Sequence, residues 1–385
     1  MKVFLTAGEP SGDALGAALI AGLKSLAPSV TFRGVAGPRM QAAGMESLFA
    51  MEELSVMGIT EVLPKYFALK RRIAQTAAAA LDWSPDLVVT IDSPDFALRV
   101  ARLIKDARPT LPVSHYVAPT VWAWRPKRAP RMARVIDHVL ALFPFEPPYM
   151  ERAGMACDFV GHPLAAKPPV TNAARLRFLE RLGADARPLL AILPGSRLGE
   201  IERLLPVFCA AVQDPDLAEF QVVLPTLPHL VTRVRDISEA HMPRQPLILT
   251  GEGKGAEDAA EERRVALSAA SLALAASGTI SLELAAARTP MVIAYDMSWL
   301  TRQIIDRKLL IDTVTLVNLV SETRAVPEFI GANCRPAKIA AALRDVAARP
   351  EAQLAAMEKT MARLGEGGEA PGLRAARALL ARLER

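Results

Sequence analysis

The sequence predicts an α/β protein built from two successive Rossmann-like domains. Short apolar runs bounded by turn residues alternate with longer helical segments, which favours parallel strands joined by crossover helices. The proline-rich stretch PLAAKPP at 163–169 interrupts this alternation, and the same alternation restarts after it. The chain has 385 residues, and a single core rarely grows beyond roughly 250–300 residues. Two smaller sheets therefore fit better than one large sheet.

In the first domain, apolar runs that end at turns or breakers mark the strands. Strands are expected at 2–7, 30–35, 87–91, 112–117 and 139–142. Helices are expected at 14–26, 96–107 and 127–137. Because ligands of such sheets bind beyond the carboxyl ends of strands, the loops after these strands are the first candidates for a site.

The second domain repeats the pattern after the linker. Strands are expected at 188–193, 220–224, 247–250, 272–275 and 291–294, with a helix at about 200–212. The segment from 336 onward is expected to be helical, with a break near 365–372. We therefore predict an N-terminal domain at 1–165, a C-terminal domain at 166–350 and a helical tail at 351–385, with the two domains facing across a cleft.

Composition indicates a globular protein with a sizeable core, since 51% of residues are hydrophobic and 23% are charged. A formal charge of +5 suits anionic partners such as phosphates, nucleotides or an acidic membrane face. The three cysteines are far apart without CxxC spacing, which fits a reducing compartment. The N-terminal apolar run is too short for a signal peptide, so we expect a cytoplasmic location with surface contact to a membrane allowed. Nothing in the sequence fixes an oligomeric state.

The first candidate loop is GEPSGD at 8–13, directly after the first expected strand. Its glycines allow a sharp turn, and Ser11 or Asp13 could cap the following helix. Glu9 is not required for turning and therefore remains a candidate for chemistry, together with Ser11 and Gly12. A turn with a cap and a functional site fit this loop equally well.

The second candidate loop is DSPD at 92–95, between an apolar strand and a helix. Asp92 lies where the strand leaves the sheet, and a carboxylate there could accept a proton from a substrate hydroxyl. Asp95 lies in the position of a helix N-cap, which is the frequent role of aspartate before a helix. For each residue, the structural and the functional interpretation stay open.

The third loop, HYVAPTVWAWR at 115–125, places two tryptophans beside a basic cluster that runs to residue 134. Aromatic rings beside cations suit a sugar phosphate or a lipid headgroup, which makes His115, Trp122 and Arg125 candidates for substrate binding. Core tryptophans and a solvated helix face are the structural alternative. Nucleic acid fits less well, because the net charge is modest and the basic residues form one short cluster.

Two loops of the second domain suit an anion. In LPGSR at 193–197, a helix start and the forked cation of Arg197 favour phosphate, although Glu200 or Glu202 could pair that arginine instead. In ASGTISLE at 276–283, Ser277, Gly278 and Thr279 suit a diphosphate and Glu283 suits a ribose diol. A capping box would use similar residues in the second loop.

No metal site is predicted. The five histidines lack ligand spacing such as HxxxH, and the chain has no D-x-D aspartate pair of the kind some sugar transferases use for Mg²⁺. No cofactor is implied by any other motif.

Eight segments in order resemble the lipid-A-disaccharide synthase family. They are AGEPSGD, ELSVMGITEVL, IDSPDF, HYVAPTVWAWR, LFPFE, FVGHPL, LPGSR followed by EI, and ASGTISLE. Each motif alone is weak, whereas eight in this order, spanning most of the chain, are specific. Two departures occur: a Leu-Pro-Asn-Leu run reads Leu316-Val317-Asn318-Leu319 here, in which Asn318 still matches, and the aspartate motif ends in Ala97 rather than asparagine.

The resemblance implies a GT-B fold whose C-terminal helices pack back on the N-terminal domain, and an inverting, metal-independent glycosyl transfer. The donor would be UDP-2,3-diacylglucosamine and the acceptor 2,3-diacylglucosamine 1-phosphate. The product would be the β-1,6-linked disaccharide phosphate that precedes lipid A, made at the cytoplasmic face of the inner membrane of a Gram-negative cell. Asp92 or Asp95 is then the candidate base, with Glu9 in reserve, while Arg197, Ser277–Thr279 and Glu283 would hold UDP.

The segment 54–67 is densely apolar and is followed by Lys70, Arg71 and Arg72. Apolar residues flanked by cations suit an element at a membrane edge, and a buried helix with a basic end is the alternative. The candidate membrane or acyl-chain contacts are Val56, Met57, Ile59, Val62, Leu63 and Phe67. Rival functions are another UDP-sugar enzyme of this fold, such as an epimerase or a transferase with an unacylated acceptor, and a non-catalytic nucleotide- or lipid-binding module.

Overall fold

The computed structural model describes residues 1–54, 62–183, 187–297 and 310–384, with the backbone alone described at 62–66. The chain divides into two compact units. Unit 1 comprises Met1–Ala166 and Leu364–Arg385, and unit 2 comprises Lys167–Arg363. Each unit contains its own parallel sheet.

Unit 1 is built on a seven-stranded sheet with the order β3-β2-β1-β4-β5-β6-β7. The strands are β1 (Lys2–Ala7), β2 (Thr31–Val35), β3 (Glu46–Ser47), β4 (Leu87–Ile91), β5 (Val113–Tyr116), β6 (His138–Ala141) and β7 (Ala156–Phe159). The helices that connect them are α1 (Pro10–Leu26), α2 (Pro38–Ala42), α3 (Val62–Trp83), α4 (Pro94–Ala107), α5 (Arg128–Met132) and α6 (Pro147–Arg152). The strand order reverses between β1 and β4, which makes that junction the topological switch point of unit 1.

Unit 2 is built on a six-stranded sheet with the order β10-β9-β8-β11-β12-β13. The strands are β8 (Leu189–Leu193), β9 (Gln221–Pro225), β10 (Leu247–Leu249), β11 (Ala270–Ala275), β12 (Met291–Tyr295) and β13 (Glu328–Ile330). The described helices are α7 (Asn172–Arg181), α8 (Leu198–Val212), α9 (Val231–His241), α10 (Ala256–Ala269), α11 (Ile280–Ala287), α12 (Leu316–Ser321), α13 (Pro336–Ala348) and α14 (Glu351–Leu364). Its switch point lies between β8 and β11.

The central strands are continuous apolar runs because helices cover both faces of each sheet. All five residues of β4 (LVVTI) and of β8 (LLAIL) are buried. In unit 1, alternate residues of neighbouring strands divide between two cores, with Val88 and Val113 in one and Val89 and Tyr116 in the other. Each fully buried aliphatic side chain contributes roughly 1.5–3 kcal/mol, so these strands fix the frame that carries the loops.

The last helix, α15 (Pro371–Leu383), packs on α1 within unit 1. Two glycines allow the close approach: a Cβ on Gly22 would lie 2.5 Å from the Gly372 carbonyl oxygen, and one on Gly372 would lie 2.5 Å from that of Ala18. Arg374 also donates to the Phe159 carbonyl oxygen at 2.9 Å. The expected return of a C-terminal helix onto the N-terminal unit is therefore confirmed for α15, whereas α14 belongs almost entirely to unit 2.

Differences from the expected elements have local causes. Strands β3, β7 and β13 were not expected, and they are short and only partly buried, so they lack a clear apolar run. Helix α1 begins at Pro10, four residues earlier than expected, because proline is favoured in the first turn. The helix expected at 127–137 covers only Arg128–Met132, and Asp137 beyond it accepts a hydrogen bond from the Val113 amide at 2.8 Å.

Candidate functional site

The two carboxylate loops of unit 1 meet at its switch point. Strands β1 and β4 are paired in parallel with Ala7 beside Ile91, so the loops that follow them leave the sheet together. The Ser11 hydroxyl donates to the Asp92 carboxylate at 3.4 Å. A Cβ on Gly8 would lie 2.6 Å from the Ser93 hydroxyl oxygen, so glycine is required for the loops to approach this closely. Ser11 and Asp92, predicted from separate motifs, thus belong to one cluster.

The backbone at Asp92 is strained. Asp92 and Ser93 have φ of +52° and +42°, which side-chain-bearing residues rarely adopt. Such conformations cost on the order of 1–3 kcal/mol each and persist where surrounding contacts hold them. The Asp92 amide donates to the Tyr116 carbonyl oxygen at 3.0 Å, and the Ser93 amide donates to the Asp92 carboxylate at 2.9 Å. The turn therefore holds a partly exposed carboxylate at the end of β4.

The other acidic residues of these loops have different surroundings. The Asp95 side chain is 94% exposed and lies 3.9 Å from the Arg128 guanidinium. It is not the helix cap, because α4 begins at Pro94 with Ser93 in the cap position. Glu9 is exposed and occupies the cap position of α1, so neither Ser11 nor Asp13 caps that helix. The buried Asp13 accepts instead from the Arg39 and Met40 amides, at 2.9 and 3.0 Å, and caps α2. Gly12 is buried in α1.

Two predicted binding residues of unit 1 are enclosed by protein. His115 is 1% exposed in β5, and its Nδ1 lies 2.7 Å from the Thr90 hydroxyl. Burial, together with the nearby Arg128, lowers the pKa of His115 to about 4, so the ring is neutral at physiological pH. Trp122 is 6% exposed. A direct role of either side chain in substrate binding stays a prediction.

The loop around Trp122 is anchored by Glu146, a buried carboxylate that our sequence reasoning missed. Glu146 accepts from the Leu142 and Phe143 amides, at 3.1 and 3.0 Å, and from the Trp122 indole at 3.4 Å. Burial raises the pKa of Glu146 to about 8. The LFPFE motif contained this residue, but a glutamate in an aromatic segment gives no signal of being buried. In the loop of Trp122, Arg125 stacks on the exposed Trp124 ring, with its guanidinium carbon 4.0 Å from the ring centroid.

A cavity of unit 2 lies beyond the carboxyl ends of β8 and β11. Its volume is about 450 Å³. The Ala276 amide donates to the Leu193 carbonyl oxygen at 2.8 Å and holds the two strand-following loops side by side. All five residues predicted from these loops line the cavity, namely Arg197, Ser277, Gly278, Thr279 and Glu283. The switch point of unit 2 is therefore a preformed pocket.

Just before α8, two backbone donors are already satisfied by a protein carboxylate. Glu200 accepts from the Ser196 and Arg197 amides at 3.2 and 3.3 Å, and its other oxygen lies 3.0 Å from the Arg197 guanidinium. The pairing of Arg197 with Glu200, which the sequence left as an alternative, is thus present. Gly195, with φ of +113°, is required here because any Cβ would overlap the Glu200 carboxylate. The Arg197 side chain remains 81% exposed.

At the start of α11, the amides are open. Within the described residues, none of the N–H groups of 277–280 donates to a protein acceptor. Gly278 has φ of +147°, and a Cβ there would meet nothing within 4 Å, so its backbone borders open space. The capping box that was the alternative here is not formed, because Thr279 makes no side-chain cap. Successive free amides at a helix start favour an anion.

Arg263 is a cavity residue that sequence reasoning missed. It extends from α10 and its guanidinium lies 3.1 Å from the Glu283 carboxylate. Nothing in the local sequence distinguishes it from other charged residues of α10. The four ionisable side chains that line the cavity thus form two opposite-charge pairs, Arg197 with Glu200 and Arg263 with Glu283. The backbone amides of 277–280, by contrast, have no partner among the described residues.

Asn318 lies in a buried network rather than in this cavity. It is 1% exposed, and its amide nitrogen donates to the Glu328 carboxylate and to the Val326 carbonyl oxygen, both at 2.9 Å. The Val326 amide donates back to the Asn318 side-chain oxygen at 3.0 Å. The segment without the family's proline forms helix α12, in which Val317 is buried. Asn318 therefore joins α12 to the segment before β13, and a contact with substrate stays a prediction.

Three of the predicted membrane or acyl-chain contacts, Val56, Met57 and Ile59, lie outside the described residues. Val62 and Leu63 begin the backbone of α3, and Phe67 on the same helix is 65% exposed. Among the described helices, none combines the length and the apolar character needed to span a membrane.

Across the described ranges, no group of three or more His, Cys, Asp or Glu side chains is arranged to hold a metal ion.

Comparison with known structures supports the GT-B architecture. The chain is similar to UDP-GlcNAc 2-epimerase from Neisseria meningitidis bound to UDP-GlcNAc, with a TM-score of 0.64 and 14% identity over 100% of both chains. It is also similar to CalG4, the calicheamicin glycosyltransferase, with a TM-score of 0.58 and 16% identity over 100% of this chain and 99% of that one. At such identities the likeness shows the fold alone. The chain is an α/β protein of the GT-B fold.

Sequence comparison gives the family. A model of lipid-A-disaccharide synthetase matches residues 3–378. The chain is 60% identical to the lipid-A-disaccharide synthase of Ruegeria pomeroyi, covering 100% of this chain and 96% of the relative. It is 41% identical to that of Rhodospirillum centenum, covering 99% and 94%. The chain therefore belongs to the lipid-A-disaccharide synthetase family.

Proposed function

We propose that this chain is an inverting glycosyltransferase that makes the lipid A disaccharide. It condenses UDP-2,3-diacylglucosamine with 2,3-diacylglucosamine 1-phosphate and releases the β-1,6-linked disaccharide 1-phosphate and UDP. Family membership supports this reaction. The observation within the molecule that carries the proposal is the pair of switch points, one with a strained carboxylate and the other with free amides around a cavity.

The donor binds in the cavity of unit 2. The free amides of 277–280 receive the diphosphate, and Arg197 adds a cation at the rim. Glu283 accepts from the ribose hydroxyls while Arg263 fixes its carboxylate. Because the ionised side chains of the cavity are paired with one another, the amides and the dipole of α11 supply the uncompensated positive potential.

The acceptor reacts at the switch point of unit 1. Its 6-hydroxyl oxygen attacks the anomeric carbon of the donor, the bond from that carbon to the diphosphate oxygen breaks, and Asp92 takes the hydroxyl proton. The electron pair of the broken bond stays on UDP. The amides of 277–280 and Arg197 stabilise that growing negative charge, as preorganised donors do for other leaving anions.

Product analysis with both acylated substrates tests the reaction. We expect one UDP for each disaccharide phosphate formed, with and without a chelator. Asp92→Asn should abolish most turnover while Asp95→Asn, a matched change three residues away, should retain it. Near-normal turnover by Asp92→Asn would contradict the assignment of the base, and activity lost to the chelator would contradict a metal-free reaction.

A second function that the fold favours is epimerisation of a UDP-sugar, since several similar structures are UDP-GlcNAc 2-epimerases. The two functions differ in their need for an acceptor. A transferase consumes the donor only when an acceptor is present, whereas an epimerase converts the UDP-sugar alone. Conversion of a UDP-sugar without an acceptor would therefore favour the second function.

We also propose peripheral association with the cytoplasmic face of the inner membrane through the start of α3. Phe67 supports this proposal because a large apolar side chain that is 65% exposed costs free energy in water. Leu63→Ser with Phe67→Ser should lower binding to anionic phospholipid vesicles without lowering UDP affinity. Leu176→Ser serves as control, since that leucine of α7 is 59% exposed in unit 2. Equal losses in both variants, or unfolding of the α3 variant, would oppose the proposal.

A further inference from the structure

We propose that Arg128 is the binding group for the phosphate of the sugar 1-phosphate acceptor. This inference rests on the proposed function and assigns a residue that the motifs did not single out. The ligand chemistry is a phosphate monoester carried on the acceptor sugar.

The position of Arg128 is the first argument. It begins α5, at the end of the loop that follows β5, and its guanidinium lies 3.9 Å from the Asp95 carboxylate. Asp95 stands three residues after Asp92 in the first turn of α4. The guanidinium therefore lies at the same edge of the sheet as the proposed base.

The surroundings of Arg128 distinguish it from the rest of the basic cluster. Lys127, Arg131 and Arg134 are exposed, and Arg125 is stacked on Trp124. The Arg128 side chain is only 30% exposed, and its charge helps to lower the pKa of the nearby buried His115. The guanidinium is thus partly buried, and the ring near it is neutral.

Arg128 also lacks a close anion. Its nearest carboxylate among the described residues is that of Asp95, beyond hydrogen-bond distance and 94% exposed. None of its guanidinium N–H groups donates to a protein acceptor in that part of the chain. A partly buried guanidinium with unused donors has the planar fork that binds a phosphate through two parallel hydrogen bonds.

The chemistry of the acceptor matches this arrangement. The carboxylates of Asp92 and Asp95 repel a phosphate, so an acceptor that offers its 6-hydroxyl to Asp92 needs a cation for its anionic end. The 6-hydroxyl and the 1-phosphate project from different parts of the sugar ring. A carboxylate for the hydroxyl and a separate guanidinium for the phosphate would orient the sugar for attack and would favour phosphorylated acceptors.

The test combines a change in the protein with a change in the substrate. Turnover is measured at saturating donor in detergent micelles free of phospholipid, with 2,3-diacylglucosamine 1-phosphate and with the same sugar lacking the phosphate. For the wild type we expect kcat/KM to be roughly 10- to 100-fold higher with the phosphorylated acceptor. In Arg128→Gln this preference should fall below about threefold, because kcat/KM should decrease for the phosphorylated acceptor and stay unchanged for the other one.

Two variants sharpen the test. Arg128→Lys, which keeps the charge but not the fork, should retain an intermediate preference. Arg131→Gln, an exposed arginine of the same short helix, should retain the preference of the wild type. Wild-type turnover with the acceptor that lacks the phosphate checks that each variant is folded.

Several outcomes would overturn the assignment. The first is that Arg128→Gln keeps the wild-type preference for the phosphorylated acceptor, and the second is that it loses turnover equally on both acceptors. The third is that Arg131→Gln loses the preference as fully as Arg128→Gln does, which would indicate a diffuse electrostatic field or a face that binds lipid headgroups. Failure of the wild type to release UDP with either acceptor would instead overturn the proposed function, and this assignment with it.

Discussion

The two switch points of this molecule have the same topology and opposite chemistry. In unit 1 the residues after β1 and β4 present carboxylates and a hydroxyl on a strained backbone. In unit 2 the residues after β8 and β11 present free amides, while the arginines and glutamates are paired with each other. The parallel sheet brings two loops together in both units. The identity of a few residues after each strand then decides whether the place suits a proton acceptor or an anion.

The two units also differ in their buried ionisable groups. Unit 1 contains two such groups with strongly shifted pKa values, His115 and Glu146. Beside the cavity of unit 2, burial and the neighbouring Glu200 raise the pKa of Tyr295, which leaves its hydroxyl neutral. We therefore expect unit 1 to carry the pH-sensitive part of the stability. Four predictions test this comparison.

The largest effect is expected from Asp92→Asn. Removing a general base typically lowers turnover about 100- to 10,000-fold, and UDP affinity should stay unchanged because the donor binds in unit 2. Steady-state kinetics and UDP titration of the same preparation measure both quantities. Loss of UDP affinity together with turnover would break the proposed division of labour between the two switch points.

The next effect concerns Glu146 and pH. Its pKa is raised from 4.5 to about 8, so the folded protein keeps a proton that the unfolded chain has lost. Folding stability should therefore fall as pH rises from about 4.5 to about 8, by an amount on the order of 5 kcal/mol. Glu146→Gln does not titrate and should gain stability relative to the wild type over that range.

Urea unfolding of both proteins at several pH values measures this difference. Glu151→Gln, a change to an exposed glutamate of α6, should follow the wild type. A pH-independent difference between Glu146→Gln and the wild type would contradict the assignment of a protonated Glu146 in the folded state.

A smaller effect is expected from Gly278→Ala. Its Cβ meets no atom within 4 Å, but φ of +147° is unfavourable for alanine. The strain, about 1–3 kcal/mol, would be relieved by moving the amides of 277–280, so UDP affinity should fall about 5- to 150-fold.

Gly199→Ala is the matched control, since its Cβ is equally unobstructed and Gly199 lies in α8 without a positive φ. It should keep UDP affinity when both variants are titrated with UDP. Equal affinities in the two variants would argue against the start of α11 as the anion site.

The smallest effect is expected from Asp95→Asn. Its carboxylate is exposed and 3.9 Å from Arg128, a distance at which ion pairs in solvent contribute little. Turnover should change less than about threefold, and KM for the phosphorylated acceptor should fall slightly because Arg128 is freed. Acceptor titrations check both values. A large loss would make Asp95, rather than Asp92, the main carboxylate of unit 1.

Local sequence patterns predict much of the strand and loop arrangement. The apolar runs at 2–7, 87–91 and 188–193 predict β1, β4 and β8 to within one residue, and strand-following loops contain most residues of both switch points. The pattern failed where strands are short and half-buried, as in β7 and β13. Neither Glu146 nor Arg263 gave a signal, because a glutamate in an aromatic turn and an arginine in a charged helix are locally unremarkable.

The fold class, the order of the motifs and the residue types that follow each strand can all be read from the amino-acid sequence. These properties depend on periodicity and turn chemistry, which act over a few neighbouring residues. Only the tertiary structure decided which of those residues share a site. It placed Ser11 beside Asp92, assigned Asp13 to capping α2 and gave the Ser196 and Arg197 amides to Glu200. Among the described residues, it left the amides of 277–280 without a partner. The reason is physical: a donor or carboxylate becomes available to a ligand only if no partner distant in sequence satisfies it first, and the folded chain selects those partners.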